Sequence, residues 1–360
     1  MKGLVINRGL LNRTANLVSG KSLGKGVIVQ EIPKPNISDN EILVKVHATA
    51  LNPIDFKFID FIGPSGSITG CDFAGVVAQA GKTASQTWKA GDRVAGFVQG
   101  GISKEYGSFA EYVKAEEDLV WRIPGELSDE DASTYGVSAV TAMQALNLHL
   151  DIAWFDEVEK GEKTSQGSTV FIYAGSSSVG LIAIQIAKKA GCTVVTTASP
   201  HSFDLVKSYG ADSVFDYRSP NAVQEITKEY PDITQALDCF SAGESTQFCA
   251  RVLEKKGGKV ITLLDSKAKT PGVKVEMIMS FQMLGRAFAW LPPIGPRYPV
   301  SPPAREALTR FYVNLPSFVK ELKAPPVTVL NGGLDGVLEG LDKLRAGKVS
   351  GSKLVVKHPH

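Results

Sequence analysis

Residues 175–180 read Gly-Ser-Ser-Ser-Val-Gly, between an apolar run at 169–174 and an apolar segment at 181–190. Small residues at a strand-to-helix turn uncover backbone N–H groups at a helix start, where a pyrophosphate can sit. Ser176, Ser177, Ser178 and Val179 are therefore the expected pyrophosphate contacts. A nicotinamide dinucleotide held there narrows the chemistry to hydride transfer. A strict fingerprint would place Gly at 175, 177 and 180. Ser177 replaces the second, and its hydroxyl could bond a phosphate oxygen. The same six residues also fit an ordinary strand-to-helix turn of any α/β protein, so the surrounding elements decide between the readings.

Those elements favour the cofactor. After Gly191, apolar β-branched runs recur at 193–197, 213–215, 235–238 and 259–264. Their spacing of roughly 20 residues is that of βαβ units, with helices expected at 202–209 and 244–253. Strands alternating with helices predict a parallel sheet. An NAD-selective site carries Asp or Glu at the end of the second strand. Here that place is Ala198-Ser199, and no acid follows until Asp204. Ser199, His201, Ser202 and Lys207 instead offer hydroxyls and positive charge to a 2′-phosphate, which predicts NADPH. His201 alone would equally suit a surface loop.

At 360 residues the chain is long enough for one or two domains with a substantial core. Its 39 basic and 37 acidic residues leave a net charge of +2, spread along the chain. No basic stripe points to nucleic acid and no polybasic segment to a membrane surface. The apolar run at the start is too short for a secretory signal, and no stretch approaches membrane-spanning length. Cys71, Cys192, Cys239 and Cys249 form no CxxC pair, as expected of core thiols in a reducing compartment. A cytoplasmic protein is expected. Residues 151–166 are polar and separate the N-terminal half from the first strand of the parallel sheet. Residues 291–303 hold six of the 19 prolines and predict an extended loop.

The N-terminal half is rich in β signals: 41–48, then Asn52-Pro53-Ile54-Asp55, a Gly-punctuated strand at 70–81, a turn into a strand at 91–94, and 107–113. These pieces, in this order before a late dinucleotide unit, resemble the medium-chain dehydrogenase/reductase superfamily. The resemblance covers essentially the whole chain. It implies an α/β protein with a GroES-like β-rich catalytic domain at 1–137, completed by 304–360, and a doubly wound Rossmann domain at 138–303. Residues 347–356 look like the family's closing strand. Alcohol dehydrogenase members carry Cys where this chain has Asn52 and His where it has Cys71, and no Cys lies between Gly96 and Phe109 for a structural zinc lobe. Cys71 and Asp72 alone do not make a catalytic zinc site. The chain is thus similar to the zinc-independent, quinone-oxidoreductase-like branch, where Asn-Pro-x-Asp is typical, and no metal is expected. Residues 199–207, 214–220, 236–239 and 244–249, with the polar insertion, further resemble fungal trans-acting enoyl reductases of polyketide biosynthesis.

That resemblance implies further site residues. Asn52, Pro53 and Asp55 would lie at the cofactor, Tyr217 at its 2′-phosphate, and Leu263, Leu264, Val349 and Ser350 around its nicotinamide half. Reducing an activated C=C bond needs hydride at the β-carbon, a donor for the developing enolate oxygen and a proton for the α-carbon. Lys57 matches a lysine of the polyketide enoyl reductases and would steady substrate or charge; otherwise it is a solvent-exposed helix lysine. Ser138, Ala139, Val140 and Thr141 match the stretch that lines the substrate pocket and meets the carboxamide. Ser138 and Thr141 could instead be helix N-caps. Ala139 lacks a hydroxyl expected in lovastatin-type members. Leu284, Gly285, Arg286, Ala287 and Phe288, with the proline-rich loop, would wall an apolar pocket for an acyl chain; their alternative is core and edge strand. Zinc-free relatives pair a strand of this region across a dimer, which the prolines would impair, so a monomer is expected. Three functions follow: NADPH-dependent reduction of an acyl thioester, free or bound to a carrier protein of a polyketide synthase; reduction of a small quinone, enone or enal; or NADPH binding without turnover.

Overall fold

The run Thr169–Tyr173 forms an inner strand of a six-stranded sheet because its apolar side chains are covered on both faces. The computed structural model describes residues 1–20, 25–291 and 295–359. In that sheet the strands run, edge to edge, Ser213–Asp216, Thr193–Ala198, Thr169–Tyr173, Gln235–Asp238, Gly258–Thr262 and Val273–Met277. All pairs are parallel. This order reverses between Thr169–Tyr173 and Gln235–Asp238, and a crevice at such a switch point is where doubly wound sheets bind ligands. Helices Ser178–Lys189, Phe203–Ser208, Ala222–Glu229 and Ser245–Val252 connect the strands. The sixth strand, Val273–Met277, has no sequence forecast: it is a half-exposed edge that alternates Val-Lys-Val-Glu-Met in place of the continuous apolar runs of the inner strands.

A second, mostly antiparallel sheet is built from the N-terminal half and the tail. Its order is Val327–Leu330, Lys353–Lys357, Glu41–Ala50, Asp72–Ala80, Arg93–Phe97 and Val120–Arg122, with Tyr112–Glu116 also paired to Glu41–Ala50. The tail strand docks antiparallel, with Val355 opposite Ala50 and Val356 opposite Thr49. The strand expected over 107–113 starts only at Tyr112. Before it, Ser108 and Phe109 donate their N–H groups to the carbonyls of Gly70 and Thr69, and a Cβ on Gly107 would stand 2.5 Å from the Ile68 carbonyl oxygen. That close approach diverts the backbone from the ladder.

Two segments between the sheets are more ordered than their composition indicates. The polar insertion contains the helix Phe155–Glu159 and is anchored. Arg310, on the helix Pro302–Phe318, contacts Asp156 at 2.8 Å and Glu157 at 3.2 Å and lies 4.5 Å from the Trp154 ring centroid. The proline-rich stretch is only partly extended. Arg297–Tyr298 pairs with Phe288–Ala289, and Pro302 and Pro303 open a helix, whose first turn needs no N–H from proline. Residues 292–294 of that stretch lie outside the described residues.

One apolar cluster runs from Phe58 and Phe97 through Tyr135, Ala139 and Met143 to Ile172, Leu181, Phe281 and Phe311. It joins the two sheets and fixes their junction. No helix among the described residues is long and apolar enough to cross a membrane.

Candidate active site

The turn after Thr169–Tyr173 is shaped for close approach. A Cβ on Gly175 would lie 2.1 Å from Thr196 Oγ1, and one on Gly180 would lie 2.6 Å from the Ala174 carbonyl oxygen. Only glycine fits either place, which leaves a shallow cradle at the N-terminus of Ser178–Lys189. Ser177 is that helix's N-cap: its Oγ accepts from Gly180 N–H at 3.1 Å. Its hydroxyl also bonds the side chain of Cys239. Ser176, Ser178 and Val179 are half-buried around it. The cradle fits a pyrophosphate through backbone N–H groups and the positive helix end.

The end of the second strand lies beside the cradle. Ser199 is half-buried, His201 exposed and Ser202 buried. Tyr217 is exposed, edge-on to Tyr173 at 6.0 Å, with the Arg218 guanidinium 5.4 Å from its centroid. His201 Nε2 lies 3.4 Å from Ser350 Oγ. The tail loop carrying Val349 and Ser350, which the family resemblance puts near nicotinamide, thus also touches the loop suited to the 2′-phosphate. Leu263 and Leu264 are half-buried just beyond Gly258–Thr262, and Leu263 N–H donates to Ser241 Oγ at 2.8 Å.

At the junction of the two sheets the side chains form a buried polar network. Helix Pro53–Lys57 starts at Asn52, whose N–H donates to Asp55 Oδ2 at 2.7 Å, and Pro53 takes the first helical position. Asn52 Nδ2 donates to Asp72 Oδ2 at 2.8 Å. The other Asp72 oxygen accepts from Val137 N–H at 2.7 Å, capping the helix Val137–Met143. A Cβ on Gly136 would stand 2.2 Å from Asp72 Oδ1, so glycine is required for that cap. Lys353, from the tail strand, completes the network. Its Nζ donates to Asn52 Oδ1 and, at 2.9 Å, to Ser138 Oγ, and lies 3.9 Å from Asp72. Asn52 and Asp55 therefore build the wall of the site, and the amide of Asn52 is engaged within the protein.

The charges respond to burial. Desolvation pushes the Asp55 carboxyl up to about 7, with Asp72 adding to the rise. Asp72 is pushed up to about 6 by burial, against the pull of Lys353. Burial lowers Lys353, and the two carboxylates oppose that. The Cys71 thiol, fully buried beside both carboxylates, is raised well above its ordinary value.

Lys57 is not the solvent-exposed lysine that one reading allowed. It ends its helix half-buried, desolvation lowers its pKa, and no described residue forms an ion pair or hydrogen bond with its ammonium. Nor are Ser138 and Thr141 N-caps. Ser138 is the second residue of Val137–Met143 and accepts from Lys353, while Thr141 lies a turn further on; Ser138, Ala139, Val140 and Thr141 are all buried. Beyond Lys57 an aromatic wall begins. Phe58 meets Phe281 at 5.7 Å and Trp290 at 5.8 Å, and Phe288 meets Phe281 at 6.4 Å and Tyr298 at 4.5 Å. Of the stretch 284–288 only Phe288 joins this wall. Leu284 and Gly285 are buried in a tight turn, Ala287 is exposed, and Arg286 turns away to Glu116 at 2.9 Å.

The sequence reading missed Lys353 and Phe58. Lys353 had a signal, a charged residue opening the apolar run Leu354-Val355-Val356. Phe58 had none, because only the fold brings its ring to Phe281 and Trp290.

Comparison with known proteins places these features. Residues 38–125 match the family described as alcohol dehydrogenase GroES-like domain, and residues 178–285 match zinc-binding dehydrogenase. The chain is 34% identical over 95% of its length to trans-enoyl reductase FSL5 of Gibberella zeae, covering 96% of that protein. It is 37% identical over 97% of its length to trans-enoyl reductase ACTTS2 of Alternaria alternata, covering 99% of it. Among solved structures, the quinone oxidoreductase from Coxiella burnetii aligns with a TM-score of 0.70 at 24% identity, over 100% of this chain and 99% of that one. A mycobacterial protein complexed with NADPH aligns with a TM-score of 0.72 at 20% identity, over 99% of this chain and 100% of that one. The zinc in the second family description does not suit this site. The donors here are an amide, a protonation-prone thiol and two carboxylates arranged around the Lys353 ammonium, which already supplies the cation. Among the described residues no group of three or more His, Cys, Asp or Glu is placed to hold a metal ion.

Proposed function

Because the chain belongs to the trans-enoyl reductases of the medium-chain dehydrogenase/reductase superfamily, we propose that it reduces the C=C bond of an α,β-unsaturated acyl thioester with NADPH. The thioester would be presented by a carrier protein of a polyketide synthase, as the trans-acting name of the relatives suggests. The observation that carries this reading is the junction itself. There the buried Ser138 hydroxyl meets Lys353, and Lys57, half-buried and without an ion pair or hydrogen bond among the described residues, directly precedes Phe58 of the aromatic cluster.

A nicotinamide cofactor, when bound, supplies the hydride. Gly175, Ser176, Ser177, Ser178 and Val179 would hold its pyrophosphate. Ser199, His201, Ser202 and Tyr217 would receive a 2′-phosphate, and the absence of an acid at Ala198-Ser199 favours NADPH over NADH. Leu263, Leu264, Val349 and Ser350 would border the nicotinamide half. Lys57 and Ser138 would steady the carbonyl oxygen as charge develops on it, with Thr141 alongside. Phe58, Phe281, Phe288 and Trp290 would exclude water and receive the acyl chain. Two domains would divide near 137/138 and 303/304, a reading supported by the tail strand Lys353–Lys357 joining the N-terminal sheet. Pairing of Phe288–Ala289 with Arg297–Tyr298 engages that strand within the chain, which supports a monomer.

The test is NADPH oxidation, followed by absorbance, against crotonyl-type thioesters, simple enones and quinones in parallel, with NADH as control. Thioester turnover with a preference for NADPH is expected. Turnover of quinones or enones alone would replace this reading with a small-molecule reductase, and tight NADPH binding without turnover of any acceptor, a crotonyl thioester loaded on a carrier protein included, would replace it with a non-catalytic one.

A further inference from the structure

We propose that Lys353 is a positioning residue that fixes the Ser138 hydroxyl as a donor aimed at a carbonyl oxygen bound at the domain junction. The argument is one of hydrogen-bond direction. An ammonium has three donors and no acceptor. Lys353 Nζ lies 2.9 Å from Ser138 Oγ, so Ser138 accepts that bond. The Ser138 hydrogen is then directed elsewhere. Ser138 is 2% exposed, and no described residue accepts from it. A buried donor without an acceptor costs free energy that a bound oxygen would recover.

The rest of the network keeps this polarity in place. Lys353 also donates to Asn52 Oδ1, and the Asn52 amide is turned by its bond to Asp72. The second Asp72 oxygen holds Val137 N–H, one residue before Ser138. The chain of bonds therefore closes from the tail strand, through Asn52 and Asp72, onto the first turn of the helix that carries Ser138. Asp72, 3.9 Å from Nζ, favours the charged ammonium against the burial that lowers its pKa. Without Lys353 the Ser138 hydroxyl could rotate and its lone pairs could face the bound oxygen, converting attraction into repulsion.

The inference rests on the proposed reductase reading only in naming the oxygen. Two carbonyl oxygens fit: the thioester carbonyl of the substrate and the carboxamide of the cofactor. Either requires a donor, and the assay separates them.

The experiment uses the full chain and the variants Ser138→Ala, Lys353→Met and the double variant. NADPH affinity is measured by fluorescence, and the rate of hydride transfer to a crotonyl thioester in a single turnover. Loss of one aimed donor is worth about 100-fold. Each single variant is expected to lose about that much in one of the two quantities, and the double variant no more than the worse single. A loss in NADPH affinity assigns the carboxamide oxygen; a loss in rate at unchanged affinity assigns the thioester oxygen. Because Lys353→Met leaves Asp72 without its counter-ion, thermal unfolding is followed for each variant, and Lys353→Gln, which keeps an N–H donor, should recover part of the loss. Ser138→Thr, which keeps a hydroxyl, should recover part of the Ser138→Ala loss. Additive losses, or a Ser138→Ala variant within twofold of the parent in both quantities, would overturn the proposal. Absence of thioester reduction by the parent protein would overturn the functional reading alone, since the affinity measurement still tests the coupling of Lys353 to Ser138.

Discussion

Lys57 offers a test in which stability and activity should move in opposite directions. Its side chain is half-buried, and the cause of its lowered pKa is desolvation with no compensating carboxylate. Such a group strains the unliganded fold, because burying a charge without a partner is unfavourable. Lys57→Met keeps the length of the apolar stem and removes the charge. The side chain remains partly in contact with solvent, so the relief is small, at most about 1 kcal/mol of added stability. In a chain of this length that corresponds to about 2 °C in the unfolding midpoint. If the ammonium steadies charge developing on the substrate oxygen, its loss should lower the rate of reduction about 100-fold, or about 2.7 kcal/mol. The assay pairs calorimetry of the cofactor-free protein with thioester-dependent NADPH oxidation at saturating NADPH. The expected variant melts at or slightly above the parent temperature and turns over about two orders of magnitude more slowly. A midpoint several degrees lower with turnover intact would refute the reasoning, since it would make Lys57 a packing residue.

Three further outcomes are expected. Gly175→Ala places a Cβ 2.1 Å from Thr196 Oγ1, so it should cost about 1–3 kcal/mol of stability and weaken NADPH binding at least tenfold by calorimetry; a neutral effect on both would mean that the turn can open without consequence. Ser199→Asp should narrow the ratio of kcat/KM for NADPH over NADH by tenfold or more, and an unchanged ratio would move the 2′-phosphate site elsewhere. Asp55 is raised from near 4 to about 7 on folding, so the folded state holds its proton over that range and the unfolded state does not; stability from this group is present below pH 4 and is lost as pH rises towards 7. Asp55→Asn removes that titration. Between pH 5 and 8 the parent should lose stability relative to the variant, on the order of 2–4 kcal/mol at one pKa unit per 1.36 kcal/mol, and denaturant unfolding curves with parallel pH slopes would exclude it.

The parallel sheet was legible because its strands are buried on both faces. Continuous runs such as Thr169–Tyr173 and Gln235–Asp238 then stand out without any partner being known. The edge strand Val273–Met277 is short, and although Val-Lys-Val-Glu-Met alternates as a half-buried strand does, it lacks the continuous apolar run of its neighbours. The phosphate cradle was also legible, because a Gly-Ser-Ser-Ser-Val-Gly turn is local chemistry. Its capping detail was not: Ser177 suits a phosphate oxygen, but its Oγ lone pair accepts from Gly180 N–H across one turn of helix. Ser138 read as a helix cap or a pocket hydroxyl, and the choice needed Lys353, 215 residues distant in the chain.

Residue types and their local order thus determined the cofactor class and the βαβ alternation, because each depends on neighbours a few positions away. Tertiary structure alone decided which polar groups meet. Asn52, Asp72, Ser138 and Lys353 arrive from four separate segments, and the antiparallel docking of Lys353–Lys357 on Glu41–Ala50 brings the lysine to them. A buried charge is stable only where partners converge on it, and that convergence belongs to the packing of the two sheets.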